Sequence, residues 1–447
     1  MAAAKRRAPD KKVCRVGLLG LGTVGTGAAR IILESRPSLK DKTGLDIKLH
    51  AIAEKDTRRH GALGLDKRLF TADAREVLRD PAVDVVVEVI GGIEPARSFI
   101  LEALKRGKAV VTANKALLAI HGKELFKAAL KHGATIGFEA SVCGGVPVIG
   151  AIRDGLVANR VESIHGILNG TTNYILTRMV EDQATYGQAL KEAQAKGYAE
   201  ADPTLDVKGI DAAHKLVLLC NLAFHSMFDL EEAHIEGIDG LAIDDVRYAR
   251  QLGYAIKLLA IARRREHGGR GALEMRVHPT LVPLNHPLAN VRDVNNAVLV
   301  RGDAVGDVMF YGRGAGMMPT GSAIVADILD AARGSARQTF TKLQFFQNAR
   351  AGLRAVPPGR YECRYYVRFD VEDRPGVMGR IATVLGKHGV SIASVIQQEP
   401  HTAGHVPIVM LTHRTREAQF RKAILEISLL EFLRGRGAFY RLEDFEA

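Results

Sequence analysis

The segment KGYAEADPTLDVKGIDAAHK, from Lys196 to Lys215, gathers residue types that hold ammonium groups and move protons. Glu200, Asp202, Asp206 and Asp211 supply carboxylates, and Lys215 follows Asp211 by four residues in the helical pattern IDAAHKLVLLCNLAF. That spacing puts Asp211 and Lys215 on one helix face. An exposed ion pair of this kind adds little stability. Here, however, Lys215 heads the apolar run from Leu216 to Leu222, so the helix is predicted to be largely buried. Carboxylates in such a place suit a ligand with an ammonium group. A lysine there, its pKa lowered by burial or by a neighbouring cation, can pass a proton to or from an alcohol or aldehyde. Lys115, in the run TANK at a predicted strand end, is either that neighbouring cation or a second proton-handling group.

The elements that must position these residues begin at Val13. VCRVGLLG has the length of a strand and leads into Gly20-Leu21-Gly22-Thr23-Val24-Gly25, a G-x-G-x-x-G turn with a helical pattern after it. Gly20 permits the tight turn, Gly22 lets the backbone approach a pyrophosphate, and Gly25 allows close helix packing. Thr23 and Val24 open the helix whose N-terminus favours the phosphate charge. IKLHAIAEKD, VDVVVEVIGG and KAVVTANK are further strands, alternating with helices, so the fold class is α/β with a Rossmann-type doubly wound parallel sheet. Lys115 then falls where open sheets place ligands, beyond the carboxyl ends of strands. At the end of the second strand, Glu54-Lys55-Asp56-Thr57-Arg58-Arg59 carries both cofactor signals. Acidic groups favour a free ribose hydroxyl and basic groups its 2′-phosphate. Lys55, Arg58 and Arg59 tilt the balance to NADP, with NAD the alternative.

The predicted domains are a basic, disordered lead-in (1–12), the dinucleotide domain (13–138), a mixed α+β domain for substrate and oligomerisation (139–310), a linker (346–360) and a C-terminal module (361–447). A helix within 314–335 is expected to return to the dinucleotide domain. The module reads βαββαβ, the ferredoxin-like order. No apolar run approaches the ~20 residues of a membrane span, and the lead-in lacks the apolar stretch of a secretory signal. Cys14, Cys143, Cys220 and Cys363 are scattered without paired spacing, which points to a reducing cytoplasm rather than a disulfide framework or zinc site. The net charge of +12 suggests a test for nucleic-acid binding, but the one dense cluster, Arg263-Arg264-Arg265 before His267-Gly268-Gly269-Arg270, reads as a solvated turn between strands.

GILNGTTNYILTRM (166–179) followed by ALKEAQAKGYAEADPTLDVKGIDAAHKL closely resembles the signature of the homoserine dehydrogenases. The resemblance runs through TANKALLA, FEASVCGGVPVI, DVRYARQLGYAIKLLAIA, the pair HPLANV and NAV, and FYGRGAGMMPTGSAIVADIL. It implies reversible reduction of aspartate β-semialdehyde to homoserine with NAD(P)H, on the route to threonine, methionine and isoleucine. It implies Lys215 as proton donor to the carbonyl oxygen, Asp206 and Asp211 in the catalytic cluster, Glu200 and Asp211 holding the substrate with Glu200 at its ammonium, and Lys115 between cofactor and substrate. Gly197 and Gly316 would approach the cofactor. Asp202 receives no catalytic role, only that of capping the Pro203 turn. A monovalent cation, sodium by resemblance, would be held by Glu139 and the carbonyls of Val142, Gly144 and Val146; the competing reading makes Glu139 a helix cap. The C-terminal module resembles an ACT domain, with Asp373, Gly376 and Val377 of its D-x-P-G-V turn receiving an amino-acid effector, threonine being the candidate. A homodimer or homotetramer is implied. The chain opens almost at the dinucleotide strand, so no aspartate kinase region is expected.

Three rival readings compete. An aldehyde dehydrogenase needs an activated thiolate, but Cys143 has no histidine partner in sequence and reads as a buried small residue. A catalytically silent amino-acid sensor would not need Lys115, Glu200, Asp206, Asp211 and Lys215 together. A nucleic-acid-associated protein would carry a recognition motif.

Overall fold

The apolar runs at the start of the chain fold as parallel strands: β1 (Val13–Leu19), β2 (Asp46–Ala53), β3 (Phe70–Thr71), β4 (Val85–Glu88), β5 (Ala109–Thr112) and β6 (Ile136–Gly137). In this computed structural model the described residues are 13–56, 58, 61, 63–267, 270–335, 352–397, 404–435 and 437–445. The lead-in 1–12 and Arg59 lie outside them. The strand order is β3-β2-β1-β4-β5-β6, all parallel. That is the doubly wound arrangement predicted from the strand–helix alternation. Every residue of β4, VVVE, is buried, as a strand covered on both faces requires.

The helix Thr23–Glu34 starts directly after the glycine turn. The helix Met317–Arg333 returns to it as expected: a Cβ on Gly27 would lie 2.1 Å from the Met317 carbonyl oxygen, and one on Gly321 would lie 2.6 Å from the Gly27 carbonyl carbon. Ile324, Val325 and Ile328 from this late helix join Val16, Leu18, Ile52 and Val87 of the sheet in one core. The chain divides into two compact units: Met1–Val161 with Val217–Leu230 and Gly302–Gly352, and Glu162–Leu216 with Glu231–Arg301 and Leu353–Ala447.

The second unit is built on a mixed sheet. Its strands are β7 (Val161–Ile167), β8 (His234–Ile235), β9 (Tyr254–His267), β10 (Arg270–Pro283) and β11 (Asn295–Gly302). After β12 (Gly306–Arg313), which belongs by sequence to the first unit, come β13 (Arg354–Ala355), β14 (Glu362–Glu372), β15 (Ile392–Gln397), β16 (His405–Thr412), β17 (Thr415–Arg416) and β18 (Ala438–Leu442). The order is β11-β7-β9-β10-β18-β14-β16-β15. With helices Val377–Lys387 and Glu417–Ile427, the last part has the βαββαβ order read from sequence.

Three features differ from expectation. The C-terminal module is not set apart: β18 pairs in parallel with β10, Thr280 beside Arg441 and Leu281 beside Leu442, so one sheet continues through both. This removes an open strand edge. Of the expected linker, 346–351 lie outside the described residues, whereas Arg354–Ala355 pairs with Ala272 and Leu273. Arg263, Arg264 and Arg265 sit inside β9, paired across to Glu274, Leu273 and Ala272 of β10, and not in a solvated turn. The half-buried Arg263 guanidinium donates to the buried Glu443 carboxylate.

Candidate active site

Asn169 follows β7 and caps the helix Gly170–Glu181, its Oδ1 accepting from the Thr172 amide at 2.8 Å. Asparagine suits this place because its side chain satisfies an amide with no partner inside the helix. Its Nδ2 then donates to Asp206 Oδ1 at 2.6 Å and to Asp211 Oδ2 at 2.9 Å. Asp211 stands in the first turn of the buried helix Ile210–Ala223. Its Oδ2 accepts from Lys215 Nζ at 2.6 Å, and the same ammonium donates to the Leu168 carbonyl at 2.6 Å. Asp211 and Lys215 are only 6% and 8% exposed, so the i,i+4 pair is not a solvated surface pair.

The structure therefore brings Asp206, Asp211 and Lys215 together, through Asn169. Asn169 lies within GILNGTTNYILTRM, where nothing in its spacing marks it as the link between Asp206 and Asp211. Burial raises the Asp206 carboxyl pKa, the Asn169 bond opposes this, and the Asp211 charge adds to the rise. Such a carboxyl is suited to meeting a cationic group, whose arrival would favour its charged form. Glu200 lies in the exposed turn after the helix Tyr186–Ala195, and Gly197, at φ 72, turns the chain there with open space around it. Asp202 Oδ1 accepts from the Thr204 amide at 3.1 Å and from its hydroxyl, the capping role expected of it.

In the first unit, Gly20 sits at φ 97 and a Cβ on Gly25 would lie 2.1 Å from the Gly20 carbonyl oxygen. No side chain fits that packing, which brings the helix start onto the strand end. A cleft of about 610 Å³ opens here, lined by Gly20, Gly22, Glu54, Lys55, Arg75 and Ile90 among others. The glycine cradle and this volume fit a dinucleotide. Glu54 accepts from the Leu21 amide at 2.7 Å and the Asp56 amide at 2.9 Å, so its carboxylate helps to hold the glycine turn. Arg58 directs its guanidinium to Asp56, 2.8 Å away. Arg75, which sequence reading missed because it belongs to a different helix, lines the cleft beside Lys55. Lys115 begins the helix Lys115–His132 directly beyond β5 and is half-buried, with Asn114 as its cap. At the end of β4, Glu88 is fully buried and accepts from Thr112, Ile90 and Gly91, although burial raises its pKa.

The loop 139–146 is tightly turned, with Cys143 at φ 55 and Gly144 at φ 45. A Cβ on Gly144 would lie 2.5 Å from the Gly314 carbonyl oxygen, two residues before Gly316 (φ 127). Glu139 accepts from the Ile149 amide at 2.8 Å and the Gly150 amide at 2.7 Å, the helix-capping alternative named above. The loop also offers one carboxylate and several carbonyls, a hard-oxygen donor set that fits a monovalent cation. Among the described residues no cluster of three or more histidine, cysteine or acidic side chains could hold a metal ion. Cys143 is fully buried, as predicted for it. In the C-terminal module Asp373 and Gly376 (φ 88) are exposed and Val377 is buried at the start of its helix.

A dinucleotide turn on a doubly wound parallel sheet, with a buried carboxylate–lysine cluster in the same chain, defines a nicotinamide-dependent oxidoreductase. Models of the homoserine dehydrogenase NAD-binding domain, the homoserine dehydrogenase domain and the ACT domain match residues 20–139, 147–329 and 365–428, and the homoserine dehydrogenase of Pseudomonas aeruginosa is 44% identical over 97% of this chain and 99% of its own length. The chain belongs to the homoserine dehydrogenase family. The Bacillus subtilis homoserine dehydrogenase is 39% identical, covering 97% of this chain and 99% of the relative. Among solved structures, a homoserine dehydrogenase from Thiobacillus denitrificans superposes with a TM-score of 0.90 at 44% identity, covering 97% and 99% of the two chains. A hyperthermophilic archaeal homoserine dehydrogenase in complex with NADPH aligns at TM-score 0.59 and 26% identity, over 71% of this chain and 97% of that one. No helix among the described residues is long and apolar enough to cross a membrane.

Proposed function

We propose that this chain catalyses the reversible reduction of L-aspartate 4-semialdehyde to L-homoserine, with NADP as its preferred dinucleotide and NAD as the alternative. The observation that carries this reading is the Lys215 ammonium, held within a buried cluster by Asp211 and the Leu168 carbonyl. The dinucleotide, when bound, supplies a hydride to the aldehyde carbon. Lys215 delivers the proton to the carbonyl oxygen as negative charge develops there, and takes it back in the oxidative direction. Asp211 keeps the ammonium aimed, while Asp206, steadied by Asn169, and the exposed Glu200 receive the substrate ammonium group. Lys115 stands at the cofactor side and orients the carbonyl or its carboxylate neighbour.

Gly20, Gly22, Thr23, Val24 and Gly25 hold the pyrophosphate at the helix N-terminus, with Gly197 and Gly316 approaching the same cofactor. Preference for NADP is supported by Lys55 and Arg75 on the cleft wall, and by Glu54 being engaged with backbone amides. Glu139 and the carbonyls of Val142, Gly144 and Val146 would hold a sodium ion, which would order their loop. The ACT module binds an amino-acid effector at Asp373, Gly376 and Val377, threonine being the candidate, and the enzyme works as a homodimer or homotetramer. Four buried cysteines, none in a disulfide, fit a reducing cytoplasm. Initial-rate oxidation of L-homoserine with NADP and with NAD tests the reading. Turnover is expected with both and more efficiently with NADP; none with either overturns it.

A further inference from the structure

Away from the Lys215 cluster, the second unit contains a cavity of about 410 Å³ between the helix Gly170–Glu181, the start of β9 and the segment 284–292. Its walls include Leu176, Val180, Ile256 and Leu284. Lys257, on β9, also lines it and is only 5% exposed. The Lys257 ammonium donates to the Val291 carbonyl at 2.5 Å and to Asn173 Oδ1 at 3.3 Å, both neutral acceptors. Among the described residues no carboxylate forms an ion pair with it. A buried charge with neutral acceptors alone is costly. Burial lowers the pKa of Lys257 to about 8, and Arg292 acts in the same direction, while Glu181 and Asp293 oppose it. Glu181 is itself paired with Arg292 at 3.0 Å, and the exposed Arg250 lines the same cavity, so the wall nearest solvent is not short of cations.

We propose that this cavity is a binding site for a short aliphatic carboxylate, its carboxylate paired with the Lys257 ammonium and its hydrocarbon part against Leu176, Val180, Ile256 and Leu284. Glu181, the carboxylate that also lines the cavity, is held by Arg292, so a ligand carboxylate would supply the direct counter-charge to the Lys257 ammonium while Leu176 and Ile256 receive its hydrocarbon part. The same head group occurs on simple branched-chain acids and on apolar amino acids, so the two sources must be separated. The site is independent of the dehydrogenase reading, because none of its residues belongs to the proposed machinery.

Isothermal titration of the full-length protein with isovalerate and with L-valine reads the site directly. Isovalerate is expected to bind with about one site per chain, and L-valine more weakly, because Arg250 and Arg292 on the solvent side of the cavity repel its ammonium. Lys257→Met is expected to weaken the binding at least tenfold. Because that variant loses two hydrogen bonds and could fail to fold, Ala289→Phe provides a second reading: it fills the cavity from the 284–292 side, leaves Lys257 in place, and should also abolish binding. No binding of either compound to the wild type overturns the proposal. Affinity undiminished in the folded variants would place the binding elsewhere and overturns it equally.

Discussion

Lys215 and Asp211 share a helix face because they are four residues apart, but Asp206 joins them only through Asn169, which arrives from another element. Asn169 caps one helix with its oxygen and ties Asp206 to Asp211 with its nitrogen. Replacing it with alanine removes both. Loss of the cap should cost about 0.5–2 kcal/mol of stability. Asn169→Ala should also lower kcat for homoserine oxidation by about tenfold or more, with little change in the KM for NADP, because the carboxylates lose their orientation. A drop in stability with kcat unchanged would reduce Asn169 to a cap. For the dinucleotide, Arg75→Ala should raise the KM for NADP by roughly tenfold while leaving that for NAD nearly unaltered, as expected when one charge-assisted contact to a phosphate is lost. Equal effects on both cofactors would contradict the assignment. The Asp211–Lys215 pair was legible because helical spacing is local. Asn169 was not, since it acts on residues far away in sequence, nor was Arg75, which only the folded sheet brings to the cleft wall beside Lys55, and an isolated asparagine or arginine carries no periodic signal.

At the scale of elements, the glycine turn and the strand–helix alternation were readable because period and turn chemistry are written in adjacent residues. The arginine run is illegible as a strand for the complementary reason: the Arg263 guanidinium is met by Glu443, 180 residues away. The same physics ties β18 to its surroundings. Arg441, 1% exposed, donates to Glu236 at 2.7 Å and to Glu417 at 2.9 Å, and Ile238, two residues beyond Glu236, donates its amide to the Val207 carbonyl at 2.8 Å, beside Asp206. Breaking such a buried pair leaves charges uncompensated, so Arg441→Met should destabilise the protein by about 3–5 kcal/mol in urea unfolding. The pH dependence carries the sign. Burial alone would raise the Glu417 carboxyl, but Arg441 and Tyr365 outweigh it and hold it at about 2, below the ordinary 4.5. A depressed folded value means stability that is full above the unfolded pKa and lost as the pH falls from 4.5 towards 2, where the unfolded chain takes up the proton. The urea midpoint of the wild type should therefore fall through that window more steeply than that of Arg441→Met. Parallel slopes would remove Arg441 as the cause.

At the scale of the whole molecule, continuity of the sheet from β10 into β18 could not be read from sequence, because parallel pairing of distant strands leaves no local mark. The module itself was legible from its βαββαβ order, and its matching to the ACT family agrees with that reading. A module whose β18 pairs with β10, in the sheet that also carries β7, is well placed to report effector binding to the strand that leads into Asn169. Threonine titration should accordingly shift both the homoserine oxidation rate and the thermal midpoint; a titration that moves neither contradicts threonine as the effector. The +12 net charge should raise association rates with anionic dinucleotide and make the KM for NADP increase with salt.

Proton transfer by Lys215 is tested most directly by comparing steady-state oxidation of L-homoserine by the wild type and Lys215→Ala at saturating NADP. Dinucleotide binding is measured alongside by fluorescence. Removing a positioned general acid–base should lower kcat by about 10²–10⁴-fold while NADP affinity stays within a factor of a few. A folded Lys215→Ala enzyme that retains most of the wild-type kcat would contradict the assignment of the chemistry to this lysine.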